Sequence, residues 1–146
     1  MVENSKYTVS LPPDRALFEG QLQGLVMTLY SNEKPPRGLA GMMDWHFHGL
    51  ISDSIKNGRI IGKPGECVYF PVTRNGSTFH LFLLGSGQVA KNGERKPVPA
   101  ESLEVLQKNL ISLKLEKIGI SKSDFGNLTT EPLNKQLKGI SLWITP

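Results

Sequence analysis

Apolar and polar residues recur along this chain on two periods, and the change from one to the other marks its elements. Over residues 38–58, Leu39, Met43, Phe47, Leu50, Ile51 and Ile55 recur three and four apart, the spacing of one helical face. The pattern predicts one amphipathic helix that buries this face and stops at Gly58, where a left-handed C′ residue favours glycine. Asp44, His48 and Ser52 lie four apart on another face, so Asp44 and His48 are expected to pair. Met42 and Trp45 fall off the apolar face. Residues 101–118 predict a second helix, with Leu103, Leu106, Leu110 and Leu113 on one stripe and Ile111, Leu115 and Ile118 beside it. It should lie flat on a sheet and end at Gly119, with Val105 off its apolar arc.

The strands follow the shorter period. Residues 25–30 are nearly continuously apolar between Gly24 and Ser31-Asn32, which predicts a buried strand. Residues 79–84 are apolar on both alternating faces and predict a central strand covered from both sides, with His80 on the face of Phe82 and Leu84. A strand over 67–72 precedes it, and Asn75-Gly76 between them tolerates positive φ at both positions, so these strands should be antiparallel neighbours. Residues 7–11 are β-prone and closed by Pro12-Pro13, which predicts a short first strand. Residues 14–24 read as a helical turn or a loop, 120–139 as polar and turn-rich with Glu131-Pro132 as a breaker, and 140–144 as a final strand. The order strand, strand, helix, strand, strand, helix, strand predicts an α/β fold, a mixed sheet with helices on its faces.

A chain of 146 residues, 38% apolar and 21% charged, suits a single globular domain over residues 1–146. No apolar run reaches the roughly 18 residues needed to span a bilayer, and the first ten residues lack a secretory pattern. Cys67 is the only cysteine, which excludes an intramolecular disulfide and a cysteine-based zinc cluster; a cytoplasmic setting is expected, with Cys67 as a small buried hydrophobe. The net charge of +4 lies wholly in residues 74–146, where 10 basic side chains face 6 acidic ones, against 7 of each in residues 1–73. Lys91, Arg95 and Lys96 form a small knot, and Lys108, Lys114 and Lys117 are spread out. A nucleic-acid surface needs a denser stripe or interleaved aromatics, so this pattern reads as solvated surface.

Candidate chemistry is sparse, and no catalytic residue, cofactor or metal is assigned. A Ser-His-Asp set can be drawn on paper from Ser86, His48 or His80, and Asp44, but Gly85-Ser86-Gly87 lacks the fuller elbow that exposes a nucleophile. His46 and His48 are two apart, on opposite sides of a helix, and do not make a joint metal site. Gly85, Ser86, Gly87 and Gln88 stand at the carboxyl end of the central strand, where α/β sheets bind ligands, yet no helix follows them directly as in a phosphate loop.

The runs Leu50-Ile51-Ser52-Asp53-Ser54-Ile55-Lys56-Asn57-Gly58, Gly62-Lys63-Pro64-Gly65-Glu66 and Leu83-Leu84-Gly85-Ser86-Gly87 resemble, in order and spacing, the N-terminal domain of the cytosolic di-zinc leucyl aminopeptidases. The resemblance covers about half the chain, from Gly38 to Ile118. It departs from the family at Arg59-Ile60, where Asp-Phe is common, and at Gly85-Ser86-Gly87-Gln88, where Gly-Leu-Gly-Lys is usual. It implies a macro-domain-like three-layer fold without the family's catalytic metal domain, whose Asn-Thr-Asp-Ala-Glu-Gly-Arg signature is absent from this sequence. By resemblance, the chain is expected to be a free-standing, non-catalytic accessory domain acting through a protein partner or as a homo-oligomer. Macro domains proper bind ADP-ribose, so the alternative is a nucleotide site formed by Gly85, Ser86, Gly87 and Gln88 together with Gly38 and Gly41 of residues 34–41.

Overall fold

All six residues of β1 (Gly24–Leu29) are buried, and they sit in the middle of the sheet that the described residues form, five strands ordered β2-β3-β1-β4-β5. The computed structural model describes residues 8–89, 92, 98–121, 124 and 142–146. In chain order the elements are α1 (Pro13–Phe18), β1, α2 (Gly38–His46), α3 (Leu50–Lys56), β2 (Cys67–Arg74), β3 (Ser77–Gly85), α4 (Ala100–Leu113), β4 (Ile118–Ser121) and β5 (Trp143–Thr145). β1 is parallel to β3 and β4, and β4 to β5, while β2 runs antiparallel to β3, so the sheet is mixed as expected. Asn75 and Gly76 adopt φ of 52° and 80° at the β2–β3 turn and pair Arg74 with Ser77, the conformation the Asn-Gly dipeptide predicts.

Alternation along β1 and β3 divides the core in two. Leu25, Met27, Leu81 and Leu83 pack with Ala16, Leu39, Met43 and Ile51 on the face covered by α1, α2 and α3. Val26, Phe82 and Leu84 pack with Leu103, Leu106 and Leu110 of α4 on the other. Each fully buried large side chain contributes about 1.5–3 kcal/mol of transfer free energy, which is why both faces of these strands are apolar. The result is an α/β three-layer fold with helices on both faces of the sheet.

Several expectations are corrected. The single helix over 38–58 is two, α2 and α3, parted at Phe47–Gly49 where His48 and Gly49 take φ of 56° and 84°. The amides of His48 and Gly49 bond back to the Trp45 and Asp44 carbonyls, so α2 ends in a Schellman motif with histidine in the left-handed position. Asp44 therefore does not pair with His48; its Oδ1 accepts from the Ile51 and Ser52 amides at 2.8 Å each and caps α3. The second helix stops at Leu113, with Lys114 left-handed, because Ile118 and Gly119 belong to β4, an unforeseen strand beside β1. Leu113 and Ile111 are exposed, and Val105 is half-buried instead of free. Among residues 8–11 a full strand gives way to one bridge between Thr8 and Ile144, reinforced by the Val9 amide on the Ile144 carbonyl. The turn over Lys91-Asn92-Gly93, the Lys91, Arg95 and Lys96 knot and the Glu131-Pro132 breaker lie wholly or mostly outside the described residues, as does the start of the final strand.

Candidate functional site: the crest at the carboxyl ends of the strands

The carboxyl ends of β1 and β3 deliver Tyr30–Asn32 and Gly85–Val89 to one edge of the sheet, the crest, next to the 61–66 turn and the start of α2. The Gly62-Lys63-Pro64-Gly65-Glu66 turn acts as a strut. Glu66 Oε1 accepts from the Gly62 amide at 2.6 Å and the Ile61 amide at 3.1 Å, while its backbone carbonyl accepts from the Gly85 amide at 2.8 Å. Ser102 of α4, fully buried, accepts from the Gly65 amide at 2.9 Å and donates to the Gly85 carbonyl at 2.7 Å. One hydroxyl thus joins turn, strand and helix.

Four of the five amides of Gly85–Val89 are spent within the protein. Ser86 donates to the Leu29 carbonyl at 3.0 Å, Gly87 to Gly62 at 2.8 Å, and Val89 to Asn32 Oδ1 at 2.8 Å. Asn32 Nδ2 returns a bond to the Val89 carbonyl at 3.2 Å, and the Ser31 amide donates to the Gly87 carbonyl at 2.8 Å, so the two crest loops are zipped together. A phosphate cradle needs several amides converging on open space. Here the Gly85, Ser86, Gly87 and Val89 amides converge on protein oxygens.

At the first turn of α2, Asp124 supplies the anion that a helix N-terminus favours. It is 2% exposed; Oδ1 accepts from the Leu39 amide at 3.0 Å, and Oδ2 from both the amide and the hydroxyl of Thr28 at 3.3 Å. Gly38 and Gly41 flank Leu39 in this helix, and a β-carbon at Gly41 would stand 2.6 Å from the Pro36 carbonyl oxygen. Ser86 is 5% exposed, and its hydroxyl is buried without a hydrogen-bond partner among the described residues.

The structure therefore brings Gly85, Ser86, Gly87 and Gln88 to the same crest as Gly38 and Gly41. It does not assemble the paper triad: His80 lies six residues back along β3 from Ser86, about 20 Å at strand rise, and Asp44 is engaged with Ser52. His80 Nδ1 instead meets the Tyr69 hydroxyl at 2.6 Å with the rings stacked. Among the described residues no three His, Cys, Asp or Glu side chains gather to hold a metal, and no helix is long and apolar enough to cross a membrane. Burial pushes the Cys67 thiol up to about 11 against the opposing Asn109 hydrogen bond, the chemistry of a packed thiol and not a nucleophile. Sequence reasoning passed over Ser102, whose four-residue spacing from Leu106 and Leu110 on a buried stripe was a readable signal. Asp124 gave none.

The crest and the layer order bear directly on relatives. The fold is macro-domain-like. The macrodomain of Mycobacterium tuberculosis DarG superposes with a TM-score of 0.64 at 14% identity, over 95% of this chain and 98% of that one. Thermosipho africanus DarTG in complex with ADP-ribose gives 0.57 at 11% identity over 88% of this chain and 39% of that one. A mutant of tomato leucine aminopeptidase gives 0.55 at 15% identity, over 86% of this chain and 30% of that one. In sequence, 67 residues, 46% of this chain, are 37% identical to the probable cytosol aminopeptidase of Synechococcus sp. (strain WH7803), and they span 13% of that protein. No protein-family model matches. The aminopeptidase likeness is thus to a part of those enzymes, as the residues at 50–58, 62–66 and 83–87 imply.

The partial burial of His80 is measurable in solution. Desolvation holds the His80 imidazolium below its ordinary value of 6.5. The unfolded chain therefore binds more protons than the folded one between that lowered value and 6.5, and stability should be complete above pH 6.5 and decline as pH falls through this window. Urea midpoints measured from pH 7.5 to 5, beside an NMR titration of His80, should show both effects; a His80 midpoint at or above 6.5 would contradict them.

Proposed function

We propose that this domain is a non-catalytic accessory module that works through protein contacts. The observation that supports it best is the state of the crest, where the Gly85, Ser86, Gly87 and Val89 amides already bond to protein oxygens. Two exposed side chains add to it. Trp45 is 78% exposed on α2 and Met42, one turn earlier, is 38% exposed, both off the face that α2 buries. Exposed tryptophan is a common anchor of protein interfaces. The partner suggested by the aminopeptidase likeness is the catalytic half of such an enzyme, against which an accessory domain packs, in the cytoplasm where those enzymes work. A stable contact would cover about 800 Å² or more on each side.

Sedimentation velocity of the chain mixed with a cytosol aminopeptidase is expected to give a complex, weakened at least about thirtyfold by Trp45→Ala if Trp45 is an anchor. Leucyl-anilide turnover by the chain itself should stay at the blank. Separate boundaries for the two proteins, with the chain alone a strict monomer at about 0.1 mM, would refute the proposal.

A second reading rests on the macro-domain-like fold and on the Ser86 hydroxyl at the crest, which has no partner among the described residues. A nucleotide such as ADP-ribose would offer that hydroxyl a partner, provided the Gly85–Val89 loop opened and released its amides. Calorimetry with ADP-ribose distinguishes the two: heat saturating at stoichiometric ligand supports the nucleotide site, and its absence at millimolar ligand removes it.

A further inference from the structure

At the opposite end of the sheet from the crest, the β2–β3 turn carries a group of polar side chains set among aromatic rings. Arg74 closes β2 with its guanidinium 5.7 Å from the centre of the Phe18 ring and 5.8 Å from that of Phe47. One of its five N–H donors is used, Nη1 donating to the His46 carbonyl at 3.2 Å, and no carboxylate among the described residues pairs with it. Asp14 is engaged with His46, Oδ2 to Nε2 at 3.1 Å. Arg74 lines a cavity of about 320 Å³ with Phe18, His46, Asn75, Ser77 and Phe79. The Phe18 and Phe79 rings meet edge to face at 5.3 Å, and neither the Asn75 amide nor the Ser77 hydroxyl has a partner among the described residues.

These pieces have complementary chemistry. Arg74 is exposed, with its guanidinium beside two rings and bonded to one carbonyl, and its planar fork can meet a carboxylate with two parallel hydrogen bonds. The amide and hydroxyl beside it can bond to the same anion or to the group bearing it. The two phenylalanines offer a wall to an apolar or aromatic body. The volume, near the lower end for ligand pockets, suits something the size of one amino acid. A second cavity, about 530 Å³, shares Arg74 and continues over Phe47, Leu50 and Val72, giving room for a longer chain leading to the carboxylate.

We propose that the pocket at Arg74, Asn75 and Ser77 binds a carboxylate carried on an apolar or aromatic body, either a free acid or the last residue of a peptide. The site uses none of the crest residues and does not depend on the protein-contact role, which fails or stands on sedimentation alone.

The test is a ¹H–¹⁵N NMR titration of the full chain with N-acetyl-L-phenylalanine, its neutral carboxamide, and a pentapeptide ending in phenylalanine with a free carboxylate. The acid should give saturable shifts confined to residues 74–79 and the Phe18–His46 region, with a Kd of ~0.1–1 mM, and the carboxamide should bind at least about tenfold more weakly. Arg74→Gln should cost about the same, and Arg74→Lys less, since it keeps the charge and loses the fork. Both variants replace an exposed residue at the end of β2, and unchanged spectra elsewhere check their fold. A pentapeptide tighter than the single acid assigns the site to a chain terminus, whereas equal affinities assign it to a free acid. Equal binding of acid and carboxamide, no loss in Arg74→Gln, or no saturation by ~10 mM would each overturn the proposal.

Discussion

Asp124→Ala is expected to remove about 3–5 kcal/mol of folding stability, a large share of the roughly 5–15 kcal/mol available to a domain of this kind. The carboxylate is buried and accepts from the Leu39 amide, the Thr28 amide and the Thr28 hydroxyl. Truncation leaves these three donors facing a space too confined for each to recover a full bond to water, and an orphaned buried donor costs about 1–3 kcal/mol. It also removes negative charge from the N-terminus of α2. Asp124→Asn keeps the shape and part of the accepting capacity, so it should lose about half as much. Urea unfolding decides the point: a lower midpoint at unchanged slope is the expected signature. A loss in Asp124→Ala below about 1 kcal/mol would mean that the strand end and helix are held by other contacts.

The same residue illustrates what the sequence did and did not disclose. β1, β3 and the β2–β3 hairpin were readable because their signals are local: unbroken apolar runs and an Asn-Gly turn. The break between α2 and α3 was not, since Met43, Phe47, Ile51 and Ile55 keep a four-residue spacing straight through it. A Schellman turn redirects the axis without disturbing that count, and the clue was Gly49, with Asp44 placed to cap amides seven and eight residues on. β4 was missed because Ile111, Leu115 and Ile118 continue a helical spacing and Ile120 and Ser121 open the polar stretch 120–139, whereas pairing with β1 wins over local propensity. At the crest, Gly85-Ser86-Gly87 announced itself through its position after an apolar strand. Asp124 could not, because its partners lie 96 and 85 positions away and a lone Asp in a polar stretch looks like any other.

The glycines of that crest loop can be told apart by what a methyl group would do to each. Gly85 ends β3 pressed against the 62–66 strut: its amide bonds to the Glu66 carbonyl, and an added β-carbon would overlap the Lys63 carbonyl group and the Gly62 carbonyl carbon. These neighbours are backbone, and the strut is itself fixed by the Glu66 carboxylate and by Ser102, so they cannot swing aside as a side chain end would. Gly85→Ala must therefore push the strut away and break the bonds around it, at a cost of about 3 kcal/mol or more. Gly87 differs. Its φ is 79°, and the nearest atom to an added β-carbon is the Pro64 Cγ at 3.4 Å, an ordinary contact. Gly87→Ala should cost only the left-handed backbone term, about 1–2 kcal/mol. Thermal and urea unfolding of the two variants should separate them clearly, with Gly85→Ala the more damaged. A reversed order, or equal small losses, would mean that the strut yields easily and that the crest loop is free to open for a ligand.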